Sequence, residues 1–403
     1  MTDQSADQKK VVYLHVGAPK TGTTYLQDLL WRERETLARD GVYPGEKPLH
    51  QWHAALDLLD MRYLGHSDPK VAGAWEHAAS GARSWHGSTA VISHELLAYA
   101  SAEQAREATR SLDPAEVHVV YTARDLARQI PAVWQESIKN RKTQSFDEFL
   151  RELRARRESA KGEFWGAQDA VSVLCRWSAA VPPARIHVVT VPPAGGPQGL
   201  LWERFAGLLG IDPAAYDTAG SGANLSLGAA EVALLRRLNL AVDDRLGFLV
   251  YHGVVKHYLA QRVLAGRQDR QRIAVPPSLD GWVMEQSEEL VEGLRNAGYD
   301  VVGDLDELVP DLSATPEAPA PVDDVDPNLQ LDAAVDALVG LLQHIKRQRL
   351  ANDELRRRVR ELEQAPQSNL KARVRGLAEN HPSVKLALTA KRTITRPRGQ
   401  AAD

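Results

Sequence analysis

The run Val11-Val-Tyr-Leu-His-Val16 ends in the turn Gly17-Ala-Pro-Lys-Thr-Gly-Thr-Thr24. That turn opens onto apolar residues at helical spacing, Tyr25, Leu26, Leu29, Leu30 and Leu37. No other feature restricts the fold as much. A buried β-branched run that feeds a glycine turn and then an amphipathic helix is the opening of a parallel βα unit. Gly17 and Gly22 let the backbone bend tightly and approach an anion. The start of a helix leaves backbone N–H groups without intrahelical partners and carries partial positive charge. Thr21, Thr23 and Thr24 add hydroxyls, and Lys20 adds a full charge. Residues 15–24 therefore read as a cradle for phosphate or sulfate.

Three further apolar runs, Thr89–Ser93, Val117–Thr122 and Ile186–Val191, join Val11–Val16 as expected buried strands. The stretches between them predict helices over Thr23–Ala38, Leu126–Lys139, Phe146–Arg156, Leu200–Leu209, Ala229–Leu240, Tyr251–Ala265 and Val283–Ala297. Ser145-Phe-Asp-Glu148 is a capping-box signature for the third of these. The expectation is an α/β fold: a central, mostly parallel sheet flanked by helices, of the P-loop NTPase kind, with a helical C-terminal extension.

Composition changes near residue 304. From Asp304 to Asp336 there are ten acidic residues and no Lys or Arg. We read residues 1–310 as the α/β domain, 311–330 as an acidic Pro/Ala-rich linker, 331–363 as a helix and 364–403 as a basic tail, expected to be flexible. Leu331, Val335, Leu338, Leu342 and Ile345 form a heptad-like seam. It suits either a short coiled coil that joins copies of the chain or a single helix lying on the domain. Lys371, Arg373, Arg375 and the basic residues that follow read as a solvated tail. The net charge of −4 gives no pull toward nucleic acid, and the single cysteine, Cys175, rules out an intramolecular disulfide and a Cys-based zinc site. The polar N-terminus has no apolar core of a secretory signal, and no apolar run is long enough to span a membrane. A cytoplasmic protein is expected. Nine tryptophans against five phenylalanines mark a large aromatic core, with some rings free to line a cleft.

The turn departs from the Walker A pattern in one informative way. In Walker A the lysine directly follows the second glycine, and the next hydroxyl holds magnesium. Here Thr23 follows Gly22 and the lysine sits earlier, at Lys20. That weakens the magnesium arrangement a kinase or nucleotide hydrolase needs. A lysine early in the loop can instead meet the oxygen that bridges phosphorus and sulfur as negative charge grows there. Pro-Lys-Thr-Gly-Thr-Thr at 19–24 resembles the 5′-phosphosulfate loop of the sulfotransferases that use 3′-phosphoadenosine-5′-phosphosulfate (PAPS). The resemblance implies that Lys20, Thr21, Gly22, Thr23 and Thr24 bind this donor and that no metal is needed.

The same resemblance implies an arginine just past a later strand and a serine eight positions on, both for the 3′-phosphate. Arg124 stands at the arginine position, but Ala132 stands where the serine belongs. Asn224-Leu-Ser-Leu227 resembles the segment that borders the adenine, which implies a role for Ser226; a plain helix N-cap is the other reading. The acceptor needs a base within hydrogen-bond reach. The resemblance implies a histidine just after a strand, His94, or a glutamate as in other branches, Glu95. Glu46, His50 and His53 form a rival set. The function expected is transfer of a sulfuryl group from PAPS to a hydroxyl or amine of a glycan, lipid or small metabolite. A P-loop kinase or hydrolase, and a non-catalytic scaffold that assembles partners through its C-terminal helix, are the alternatives.

Overall fold

The computed structural model describes residues 9–62, 69–157, 162–197, 199–219, 226–268, 270–312 and 322–364. Asn224, Leu225 and the basic residues from Lys371 onward lie outside them. Six strands form one sheet: β1 Val11–Gly17, β2 Val42–Tyr43, β3 Thr89–Ser93, β4 Glu116–Ala123, β5 Ile186–Thr190 and β6 Asp300–Val302, in the order β2-β3-β1-β4-β5-β6. Every pairing is parallel. The four expected strands are present. The two the sequence hid, β2 and β6, are two and three residues long and sit at the edges, too short to leave a pattern.

Strand alternation sorts the core into two layers. Val12, Leu14, Val119, Tyr121, Ile186 and Val188 face one side, where they pack with Leu174, Trp177, Val291 and Leu294 from the helices Ala170–Trp177 and Asp280–Ala297. Val91, Val120 and Val189 face the other, against Leu26, Leu29, Leu30, Trp202 and Phe205. The helix expected over 23–38 is broken at Glu33 into Thr23–Arg32 and Arg34–Arg39. The helices Leu126–Lys139 and Leu200–Leu209 match their expected bounds. Phe146–Ala155 carries the full capping box on Ser145 and Glu148. Tyr251–Val263 winds as a wide π-type helix rather than the α-helix its composition suggests.

The chain after β1 moves toward β3, and the chain after β4 moves toward β5. The C-terminal ends of the adjacent strands β1 and β4 are therefore the point where the winding reverses, which is where open parallel sheets bind ligands. The β1–β4 register slips between His15 and Gly17, so the end of β1 bends just before the turn.

Two compact units divide between Ala337 and Leu338. In the first, part of the acidic segment is bound to the domain. Asp323 accepts from the backbone N–H groups of Phe146 and Asp147 at 3.2 and 2.9 Å and from Arg236 at 3.0 Å, and Val322 and Val325 are buried. The long helix Pro327–Gln364 begins in this unit with Ala333 and Ala337 buried and Leu331 and Val335 exposed. In the second unit the seam residues Leu338, Leu342 and Ile345 are exposed.

One side chain fixes the segment after β3 that faces the strand ends. Arg176 donates to the carbonyls of Ala98 (2.6 Å), Gly166 (2.7 Å), Ala100 (2.9 Å) and Ser172 (3.2 Å). Arg176→Leu leaves several of these acceptors unpaired and is expected to destabilise the fold by about 3 kcal/mol. Urea unfolding at neutral pH checks this; a loss below about 1 kcal/mol contradicts it.

Candidate active site

The turn after β1 is built so that its carbonyls face the protein. Thr122 on β4 donates to Gly17 O at 2.9 Å, and Thr21 donates to Ala18 O at 2.6 Å. Gln129 and Gln168 both donate to Pro19 O, at 2.5 and 3.0 Å, and Arg124 donates to Lys20 O at 3.2 Å. A planar trans peptide points its C=O and the following N–H in opposite directions. Anchoring Pro19 O and Lys20 O therefore turns the N–H groups of Lys20 and Thr21 outward. The helix Thr23–Arg32 starts at Gly22, and among the described residues no side chain caps its first N–H groups. Gly22 has φ +90°, and a Cβ there would lie 2.5 Å from Leu201 Cδ2, so the turn requires glycine. Lys20 itself adopts φ +70°.

The loop lines a cleft of about 1520 Å³ together with His94, Glu95, Arg124, Ala132, Glu136, Lys139, Ser226 and Lys256. Among the described lining residues eleven are Lys or Arg and four are Glu. The cleft is thus strongly cationic in a chain whose net charge is negative.

Sequence-predicted residues occupy distinct places within it. The Thr21 hydroxyl is buried beside Thr122 Oγ1 and donates to Ala18 O, so it holds the loop's shape. Thr23 is buried and Thr24 exposed. Lys20 Nζ lies 3.1 Å from Glu136 Oε2. Arg124 is half-buried, and among the described residues its Nε has no hydrogen-bond partner; neither has one terminal nitrogen of Arg128. Burial first, then Arg128 and Arg272, lower the Arg124 pKa to about 10, against the opposite pull of Asp125. Arg124 and Arg128 therefore bring unused N–H donors to a cleft that Arg272 also lines. That is the signature of a place an anion fills.

His94 caps the short helix Glu95–Tyr99: Leu96 N–H donates to its Nδ1 at 3.2 Å. The neutral ring then carries its proton on Nε2 and has no lone pair left to accept another. Burial keeps the ring neutral, although Glu95 pulls the other way. Glu95 accepts from Gln27 at 3.0 Å. Burial pushes its pKa up, but opposing interactions, among them hydrogen bonds from its own backbone N–H and from Gln27, outweigh this and leave it below the ordinary value. Ser226 lines the cleft with its carbonyl taken by Arg270 at 2.5 Å. It does not cap the helix Ala229–Val242, whose N-cap is Gly228. Glu46 and His50 pair with each other at 2.5 Å, Glu46 also meets His77 at 2.7 Å, and His53 is buried. None of the three is among the described residues that line the cleft.

Sequence reasoning missed Thr122, Gln129 and Gln168 as the loop's anchors, and Glu136 as a charge centre. Lys20, Lys139 and Lys256 lie 3.1, 3.0 and 2.9 Å from its carboxylate. A signal existed on the helix Leu126–Lys139: Ala132, Gln135, Glu136 and Lys139 fall at i, i+3, i+4 and i+7, which puts them on one face.

Burial pushes the Glu136 pKa up, but the three lysines overcome it and hold the carboxyl well below the ordinary 4.5. The folded pKa lies below the unfolded one, so the stabilisation is complete above the ordinary carboxylate range. It disappears as pH falls through the lowered value. Glu136→Gln is expected to show a shallower loss of stability on acidification than the parent chain. Urea midpoints measured from neutral to acid pH check this; parallel acid limbs contradict it.

No protein-family model matches the chain, and no curated protein matches it. One similar solved structure is the crystal structure of a sulfotransferase from Alicyclobacillus acidocaldarius, at 14% sequence identity and a TM-score of 0.37. The match covers 61% of this chain and 95% of that one. At this level the likeness says nothing about donor, acceptor or chemistry.

Proposed function

We propose that the chain is a sulfotransferase that takes the sulfuryl group of PAPS and passes it to a hydroxyl or amine. The observation that carries the reading is the inverted loop. Its carbonyls are bonded into the protein, while its N–H groups and Lys20 belong to a cationic cleft that also holds Arg124, Arg128 and Arg272, the first two with unused donors. The residues fit such a donor, since two separate anion-seeking sites match a molecule with phosphate-type groups at both ends.

The donor supplies an activated sulfuryl group whose leaving oxygen gathers negative charge. Lys20, released from Glu136, and the N–H groups of residues 20–24 hold that charge in fixed positions. Arg124 holds the 3′-phosphate, and Arg128 and Arg272 stand in for the hydroxyl missing at Ala132. Ser226 borders the adenine. Glu95 takes the proton of the acceptor, because it is ionised at neutral pH and lines the cleft, whereas the lone pair of His94 is spent on Leu96 N–H. Holding both partners in line supplies much of the rate.

Calorimetry with adenosine 3′,5′-bisphosphate tests the donor site. Binding is expected, with Lys20→Ala and Arg124→Ala each weakening it about tenfold or more. Absence of binding, or indifference to both changes, contradicts the reading. Glu95→Gln is expected to leave this affinity unchanged while slowing transfer by roughly 10²–10⁴. The rate is read as bisphosphate released from PAPS in the presence of an acceptor-containing extract. An unchanged rate removes Glu95 as the base. Magnesium-dependent ATP turnover by the chain would favour the kinase or hydrolase reading instead.

A further inference from the structure

The surplus positive charge of the cleft is concentrated at one place. The Lys139 and Lys256 side chains are 8% and 11% exposed, and both rest on Glu136. Lys256 also donates to Asn140 Oδ1 at 2.6 Å. With Lys20 on the same carboxylate, one negative charge faces three positive ones. Like charges a few ångströms apart in a partly desolvated pocket repel one another unless an anion joins them. The surroundings register this. Burial first, and then Lys20 and Lys256, lower the Lys139 pKa against the pull of Glu136. Burial first and Lys256 second hold the His252 ring neutral, with a pKa of about 4.

This pair is separate from the arginine trio. Arg124 stands just before the helix Leu126–Lys139, and Lys139 is its last residue. At 1.5 Å per residue the helix is about 20 Å long. Lys20 reaches between the two ends: its carbonyl accepts from Arg124 and its Nζ meets Glu136. Arg124 thus meets the backbone end of Lys20, while Lys139 and Lys256, through Glu136, meet its side-chain end.

We propose that Lys139 and Lys256 form an anion subsite for the acceptor, with Glu136 as their resting counter-ion. The molecule that receives the sulfuryl group then already carries a carboxylate, sulfate or phosphate. This rests on the donor reading above. Lys20 lies between the two anion sites, so an acceptor anchored at Lys139 and Lys256 is held on the far side of the loop from the arginine trio. The acceptor anion displaces Glu136 from the two lysines as it binds.

The test is calorimetry on the full chain, with and without saturating adenosine 3′,5′-bisphosphate, using glucose 6-sulfate as probe and glucose as its neutral counterpart. Glucose 6-sulfate is expected to bind and glucose not. The double change Lys139→Gln/Lys256→Gln is expected to weaken the sugar sulfate about tenfold or more while nucleotide affinity holds. Glu136→Gln is expected to act in the opposite direction and tighten it, because the competing carboxylate is gone. Opposite signs from neighbours in one ion network separate ligand binding from damage to the fold, since a loosened variant loses binding in every case. Four results overturn the proposal: no binding of the sugar sulfate, equal binding of glucose, indifference to the lysines, or no tightening with Glu136→Gln. A double variant that loses the nucleotide rather than the sugar sulfate also overturns it and assigns the lysines to the donor. If the nucleotide fails to bind but the sugar sulfate still depends on the two lysines, the donor reading falls and the anion subsite stands.

Discussion

The site depends on where four successive carbonyls point. Gly17, Ala18, Pro19 and Lys20 each give their oxygen to a partner inside the protein: Thr122, Thr21, the pair Gln129 and Gln168, and Arg124. Peptide planarity converts the last two anchors into outward N–H groups. Below the loop, His15 is fully buried between Ser93 Oγ at 2.7 Å and Thr122 Oγ1 at 3.4 Å. Burial lowers its pKa to about 4, so the floor of the loop adds no charge of its own. The anion-seeking character of the turn thus comes from backbone geometry and from Lys20, while the ring beneath it is a neutral support.

Charge in the cleft is organised along one helix. Arg128 near the start of Leu126–Lys139 is tied to Asp125, and Lys139 at its end is tied to Glu136. Each carboxylate is outnumbered by its cationic neighbours, so both ends of the helix keep a net demand for anions. This is a local property. The chain as a whole carries −4, and its acidic residues between 304 and 336 lie in a different part of the sequence. Net charge was therefore a poor guide to the chemistry of the cleft, and the positions of individual lysines and arginines were a good one.

What could be read in advance follows the range of the interactions. The loop was legible because its glycines, lysine and hydroxyls are contiguous and because β1 and the helix Thr23–Arg32 flank it. Arg124 was legible because it directly follows β4. The loop's anchors were not, since Thr122, Gln129 and Gln168 come from more than one hundred residues away and only the folded sheet brings them to it. Glu136 and Lys139 were encoded locally as one polar helix face, yet Lys256, which completes their network, arrives from a distant π-type helix. His94 shows the converse. Its position after β3 matched the resemblance, and only the hydrogen bond from Leu96 reveals that its free nitrogen is already in use.

The central claim is that this loop serves transfer of a sulfuryl group rather than a phosphoryl group. The most direct measurement offers the chain sulfur-labelled PAPS and, separately, γ-labelled ATP with magnesium, in the presence of an extract of its source. Label is expected to move from PAPS to an extract component, and the movement is expected to vanish with Lys20→Ala. Label moving from ATP instead, or from neither, would contradict the account.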